Sequence, residues 1–265
     1  MIPDIAEQAA RAVVPQNGRP PQAGSFESRW RARFKEFAER REDDAGIAGW
    51  SKTGLAARMS RFTRLRRCPA RGQLWLDAGC GAGTYTRYLQ SEGALLLGLD
   101  YSSLTLEKAR ARAAGDILWA VGDVTRLPLT PSIFDGAVCF GVTQALSSSG
   151  PLLRELCAVV KPGGEIWVDA LNGWCVPHVW DRIRRKLSKR PLHVRYESPR
   201  RMLSVLRQNG LNEVRLHWIP ILPARFVRLQ PVLEFGLARA LLRFVPLLGA
   251  LFSHAFAIQG RRSGR

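Results

Sequence analysis

Three glycines occupy alternate positions within LWLDAGCGAGTYTRYL, residues 74–89, between an apolar run and a segment of helical composition. Such a turn constrains the chain strongly, because glycine lets backbone approach a ligand and the following helix offers free N–H groups at its start. Its surroundings extend the pattern. QLWLDAG, ALLLGLD, ILWAVGD, DGAVCFGV and EIWVDAL read as strands, and TYTRYLQSEG, SSLTLEKARARAAG and GPLLRELCAVV read as helices between them. Gly93 and Gly115 stop two of these helices, and Ser102 or Ser103 caps the second. Strands apolar along their whole length and separated by helices predict a parallel, doubly wound α/β sheet. SPRRMLSVLRQNG then reads as a helix, followed by LNEVRLHWI and HAFAIQGRR as a sixth and a seventh strand.

The flanks differ from this core. Residues 1–24 hold four prolines and no sustained periodicity, which reads as a mobile tail. Residues 25–72 read as an N-terminal helical cover: Phe26, Trp30, Phe34 and Phe37 share one face of a first helix, and Leu55, Met59 and Phe62 one face of a second. The aromatic stripe reads as packing against the core. Residues 73–265 form the remaining domain, with cap segments at about 173–200 and 223–252. The first is a basic insertion. In the second, Leu237, Leu241, Val245 and Leu248 recur at helical spacing while Arg239 and Arg243 fall on another face. Glu234, these arginines and Pro246 interrupt the apolar run well short of a bilayer span. An amphipathic hairpin of this kind caps an apolar pocket, lies on an anionic membrane, or packs as an accessory subdomain.

Charge and cysteines narrow the function classes. The formal net charge is +18, but residues 74–175 carry 7 basic and 10 acidic side chains, whereas residues 176–265 carry 18 and 4. The basic excess therefore lies outside the glycine-loop region. Five cysteines, with no CxxC pair, suggest neither a disulfide framework nor a zinc site, and no metal is expected. The first residues lack the positive start and apolar core of a signal peptide, so the cytoplasm is expected, with contact at the inner face of the membrane as an option.

Three successive strands end in a carboxylate, at Asp77, Asp100 and Asp123. In an open parallel sheet these ends form the ligand edge. A dinucleotide would set its pyrophosphate against the first loop, where Asp77 repels it, and Thr84 stands where its third fingerprint glycine is expected. A ligand suited to three acids carries positive charge, ribose hydroxyls and an exocyclic amine without phosphate. S-adenosylmethionine has all of these: its ammonium and sulfonium attract carboxylates, and its diol and adenine amine donate hydrogen bonds.

In LDAGCGAGTYT, the sequence resembles the class I S-adenosylmethionine-dependent methyltransferases, with Asp77, Gly79, Gly81 and Gly83 in register with their first motif. Asp100, 17 residues after Gly83, matches their ribose-binding acid; GDVTRLPLTPSIFDGAV resembles their adenine segment, and VVKPGGEIWVDA their turn before strand five. The resemblance spans roughly residues 73–175 and is nearest to the ubiquinone and menaquinone biosynthesis type and related small-molecule enzymes. It implies a seven-stranded Rossmann-like sheet. It also implies a cofactor set of Asp77, Gly79, Cys80, Gly81, Gly83, Asp100, Tyr101, Asp123, Val124 and Gly141, with Asp123 on the adenine amine and the Val124 backbone beside the ring. The resemblance breaks after strand four, where VTQAL stands in place of a histidine many members have, and Gln144 cannot act as a general base.

Methyl transfer asks little of side chains, since positioning and exclusion of water supply most of the rate and a base is needed only for a weakly acidic acceptor. All four histidines fall in the C-terminal third, where the substrate is expected to enter. His178, soon after strand five, is the first candidate for proton abstraction and His193 the second; packing roles stand as the alternative. CFGVTQ lacks the Asn/Asp-Pro-Pro-aromatic signature of exocyclic-amine methylation and the Pro-Cys pair of cytosine methylation, so nucleic acid is not the expected partner. A small, lipophilic or lipid-linked acceptor is, with oxygen preferred to carbon. An RNA methyltransferase and a noncatalytic S-adenosylmethionine-binding scaffold are the rivals.

Overall fold

The structure, a computed structural model, describes residues 24–66, 70–221 and 245–264; the expected tail up to residue 23 and most of the expected hairpin lie outside the described residues. Seven strands form one sheet in the order β3-β2-β1-β4-β5-β7-β6. They are β1 (Leu74–Ala78), β2 (Leu95–Asp100), β3 (Leu118–Val121), β4 (Phe134–Cys139), β5 (Val160–Leu171), β6 (Leu211–Ile219) and β7 (Ala255–Arg262). β1 pairs in parallel with β2 on one side and β4 on the other, and the parallel run continues to β3 and β5. β7 runs antiparallel to both β5 and β6, so the sheet is mostly parallel as expected.

Every residue of β1 is buried, because the sheet is covered on both faces. The two-residue period divides its side chains: Leu74, Leu76 and Ala78 join one core cluster with Leu97, Leu99, Phe134, Leu153 and Ile258, while Trp75 joins the other with Leu96, Val138, Trp167 and Phe62. The helices interleaved with the parallel strands are α4 (Thr84–Ser91), α5 (Ser103–Arg112) and α6 (Gly150–Val159). Ser102 caps α5, its hydroxyl accepting from the Thr105 N–H at 3.2 Å.

Among the described residues, three helices precede the sheet: α1 (Phe26–Arg40), α2 (Asp44–Ile47) and α3 (Lys52–Leu65). Ser25, Asp43 and Ser51 cap them through side-chain bonds to Ser28, Gly46 and Gly54. The short α2 has too few residues to show a period in the sequence. The basic insertion after β5 is itself a helix, α7 (Val176–Leu187), followed by α8 (Pro199–Gln208) and, before β7, α9 (Pro246–Phe252).

Candidate active site

Strand order reverses at β1, whose neighbours are β2 and β4, and the crevice of a doubly wound sheet opens at the carboxyl ends of its strands at that point. There the chain turns from β1 into α4. The Gly79 and Cys80 N–H groups both donate to the Leu99 carbonyl, at 2.7 and 3.0 Å, which laces the turn to the end of β2. Gly81 has φ 52°, in the left-handed region, and a Cβ on it would stand in open space in front of the turn. Only glycine holds that conformation cheaply while leaving the approach to the backbone clear.

Asp100 braces the same turn. Its carboxylate accepts the N–H groups of Gly81 and Ser102, each at 3.0 Å, while burial pushes its pKa up against those bonds. At the end of β4, the Gly141 N–H donates to Asp169 at 2.6 Å, and a Cβ on Gly141 would overlap the Trp50 ring. Asp169 is in turn held by the buried Arg58 of α3, 2.5 Å away, whose guanidinium lies over that ring.

A cavity of about 390 Å³ opens in front of these groups. Gly79, Cys80, Gly81, Asp100, Tyr101, Asp123, Val124 and Gly141 line its sheet side. Its other wall is aromatic and aliphatic: Trp30 and Phe34 of α1, Ile47 of α2, Trp50, Leu55 of α3, and Phe140 and Leu146 beyond β4. The stripe on α1 therefore does more than pack on the core, since two of its aromatic residues face the cavity. Asp44 ties the helical cover to the turn, accepting from the Thr84 hydroxyl at 2.6 Å and pairing with Arg87.

The remaining sequence-expected residues have other surroundings. Asp77 is 2% exposed and lies behind the turn, accepting the Thr86 hydroxyl at 2.6 Å; burial raises its pKa to about 7. Gly83 forms the left-handed N-cap of α4 against Trp119 and does not line the cavity. Asp123 lines the cavity with both oxygens engaged, one by the Thr125 N–H and hydroxyl and the other by Arg31 of α1. Burial works to raise its pKa, but these bonds outweigh it and hold the carboxyl below its usual range. An adenine amine at Asp123 thus has to share it with Arg31, a partner 92 residues away.

The histidines are not brought to this cavity. His178 is on the buried side of α7, with Nδ1 2.8 Å from the Asn172 carbonyl, Nε2 2.9 Å from His254 Nδ1, and its ring stacked on Tyr196. Its nitrogens are spent on the junction between β5, α7 and β7, and burial lowers its pKa. His193 is exposed on the loop after α7. The sequence points to the C-terminal third for the substrate wall; among the described residues, the apolar wall of this cavity comes from the N-terminal helices, Trp50 and the segment beyond β4. The tryptophan and phenylalanine spacing on α1 was the available signal.

The residues present fit S-adenosylmethionine: a left-handed glycine leaves backbone open to an amino-acid moiety, Asp100 stands at the end of β2 for a ribose diol, and the walls beyond are apolar. Fold and site together resemble those of the class I S-adenosylmethionine-dependent methyltransferases. Residues 76–168 match the family described as Methyltransferase domain, and that segment is such a domain. The chain is 34% identical over 125 residues to a demethylmenaquinone methyltransferase of Corynebacterium kroppenstedtii, covering 47% of this chain and 53% of the relative. It is also 34% identical over 113 residues to a malonyl-[acyl-carrier protein] O-methyltransferase of Erwinia pyrifoliae, covering 42% and 43%. The chain thus spans about half the length of the curated relatives it matches. Among solved structures, magnesium protoporphyrin IX methyltransferase of Synechocystis has the same fold, with a TM-score of 0.57 at 14% identity over 90% of this chain and 96% of that one.

Proposed function

We propose that the chain is an S-adenosylmethionine-dependent methyltransferase of the cytoplasm, whose acceptor is a small, lipophilic or lipid-linked molecule methylated on oxygen in preference to carbon. The observation that carries this reading is one cavity with two unlike walls. Its sheet side presents Gly81, Asp100 and Asp123, and its other side presents Trp30, Phe34, Trp50 and Phe140. The named activities of the curated relatives are consistent with it.

When bound, S-adenosylmethionine supplies a methyl group on a sulfonium, already a good leaving group. The backbone at Gly79 and Gly81 would hold the amino-acid moiety, Asp100 the ribose hydroxyls, and Asp123 with Val124 the adenine. The aromatic wall excludes water from the reacting groups and orients a flat or greasy acceptor, which is where positioning earns its rate. Among the described residues no histidine lines the cavity, so the acceptor should need no strong base. A carboxylate, a phenol or an enol meets that condition, being anionic or readily ionised near neutral pH.

Calorimetric titration with S-adenosylmethionine and S-adenosylhomocysteine, beside a nicotinamide cofactor, tests the cofactor half. Both sulfur compounds should bind and the dinucleotide should not, and Asp100→Ala should weaken binding by about 1 to 3 kcal/mol, because the ribose hydroxyls lose their partner. Transfer of labelled methyl into a lipid extract but not into RNA tests the acceptor half. Label in RNA alone would replace this reading with that of an RNA methyltransferase, and binding without transfer to any acceptor with that of a scaffold.

A further inference from the structure

Helix α7 is turned the opposite way from an ordinary surface helix. Val176, Trp180, Ile183 and Leu187 are 50%, 66%, 46% and 80% exposed. Spaced four, three and four apart, they fall within about 60° of arc, so they form one continuous apolar stripe. The side facing the protein carries polar groups instead. His178 is bonded as described, Arg182 donates to the Gly173 carbonyl at 2.6 Å, and Arg185 pairs with Asp181 at 2.9 Å. An isolated exposed leucine needs no explanation, but an aligned stripe of four large side chains does.

The charges around the stripe indicate what covers it. Arg184 and Lys186 flank it on opposite sides, and Lys189 and Arg190 follow just beyond the helix. All four are exposed, and their side chains make no hydrogen bond or ion pair among the described residues. Leu192, two residues after Arg190, is a further exposed apolar side chain at 44%. Among the described residues no helix is long and apolar enough to cross a membrane. An apolar stripe carrying a tryptophan and edged by unpaired arginine and lysine matches a helix lying in the plane of a membrane interface, where apolar burial and attraction to anionic headgroups add.

We propose that α7 is a membrane-docking element, with its Val176–Trp180–Ile183–Leu187 stripe seated in the interface of an anionic bilayer and Arg184, Lys186, Lys189 and Arg190 on the headgroups. The segment after it returns to the cavity wall. The Arg195 N–H donates to the Gln144 carbonyl at 3.0 Å, beside Ala145 and Leu146, which line the cavity. Docking through α7 would tie this segment, and through it the cavity wall, to the bilayer in which a lipophilic acceptor is dissolved. The docking itself requires no methyl transfer, and its test is read without turnover.

The test is co-sedimentation of the full chain with vesicles of phosphatidylcholine, alone or with about one quarter phosphatidylglycerol, at low and high salt. The chain should pellet with the anionic vesicles, at least roughly tenfold more tightly than with the neutral ones, and be released by salt. The variant carrying Trp180→Ser, Ile183→Ser and Leu187→Ser should lose at least roughly tenfold in binding with an unchanged melting temperature, since none of the three side chains is buried. Equal binding to both vesicles, binding to neither, or full binding by the variant overturns the proposal. So does a lower melting temperature, which would mean that the stripe packs within the chain, or a fall in oligomer mass in the variant, which would mean that a second copy covers it.

Discussion

Asp77, Asp100 and Asp123 are alike in the sequence and unlike in the structure. Asp77 is sealed behind the glycine turn with one hydroxyl partner, and burial lifts its pKa to about 7 from an ordinary 3.8. The folded state holds that proton more tightly than the unfolded chain does. Its contribution to stability is therefore complete below about pH 4 and is lost as pH rises through 7. Asp77→Asn has no charge to bury. Urea unfolding without ligand should show the variant gaining on the wild type by on the order of 4 kcal/mol between those limits. A gap that stays constant across that range would mean that Asp77 is ionised throughout. The register of the glycines with Asp100 could be read from the sequence, because the pieces of that interaction are local and the acid ends a strand. The Arg31–Asp123 pair could not, because no sequence period links positions 92 apart.

At the scale of elements, a buried ion pair keys the helical cover to the sheet. Arg58 of α3 and Asp169 of β5 are 4% and 1% exposed in their side chains, and Asp169 also fixes Gly141 at the cavity. Removing one partner of such a pair leaves an uncompensated charge. Arg58→Ala should destabilise the fold by roughly 3 to 5 kcal/mol, as measured by chemical denaturation. A cost within about 1 kcal/mol, the range of exposed pairs, would show that water reaches Asp169. The central strands were readable because a strand buried on both faces is an unbroken apolar run, as in LWLDA and LLLGLD. Helix α7 is not legible as one. Its four apolar residues keep helical spacing, yet arginine and lysine crowd the segment and Pro177 and Pro191 bracket it, so composition spoke for an insertion.

For the whole molecule, the cavity is shared between the N-terminal helices and the sheet, and a ligand seated there binds only the folded chain. S-adenosylhomocysteine at 100 times its dissociation constant should therefore add about 2.7 kcal/mol of stability. The corresponding rise in melting temperature is roughly 5 to 10 °C for a chain of this size. No rise, with binding seen by calorimetry, would mean that melting is governed by a part of the molecule uncoupled from the cavity. The overall α/β topology followed from alternation of strand and helix, while the cavity's second wall depended on tertiary packing. Phe34 and Trp30 show a helix face in the sequence, but only the folded chain shows that this face is divided between core and cavity.

The position of β7 also has a temporal consequence. Its residues 255–262 lie between β5 and β6 and are bonded to both. During synthesis from the N-terminus, β1 to β5 can pair as they emerge, each beside a neighbour already made. β6 is finished more than thirty residues before β7 and, among the described residues, has no other strand to join. Until the ribosome releases β7, the edges of β5 and β6 stay unpaired, and these exposed edges are where a nascent chain recruits chaperones or aggregates.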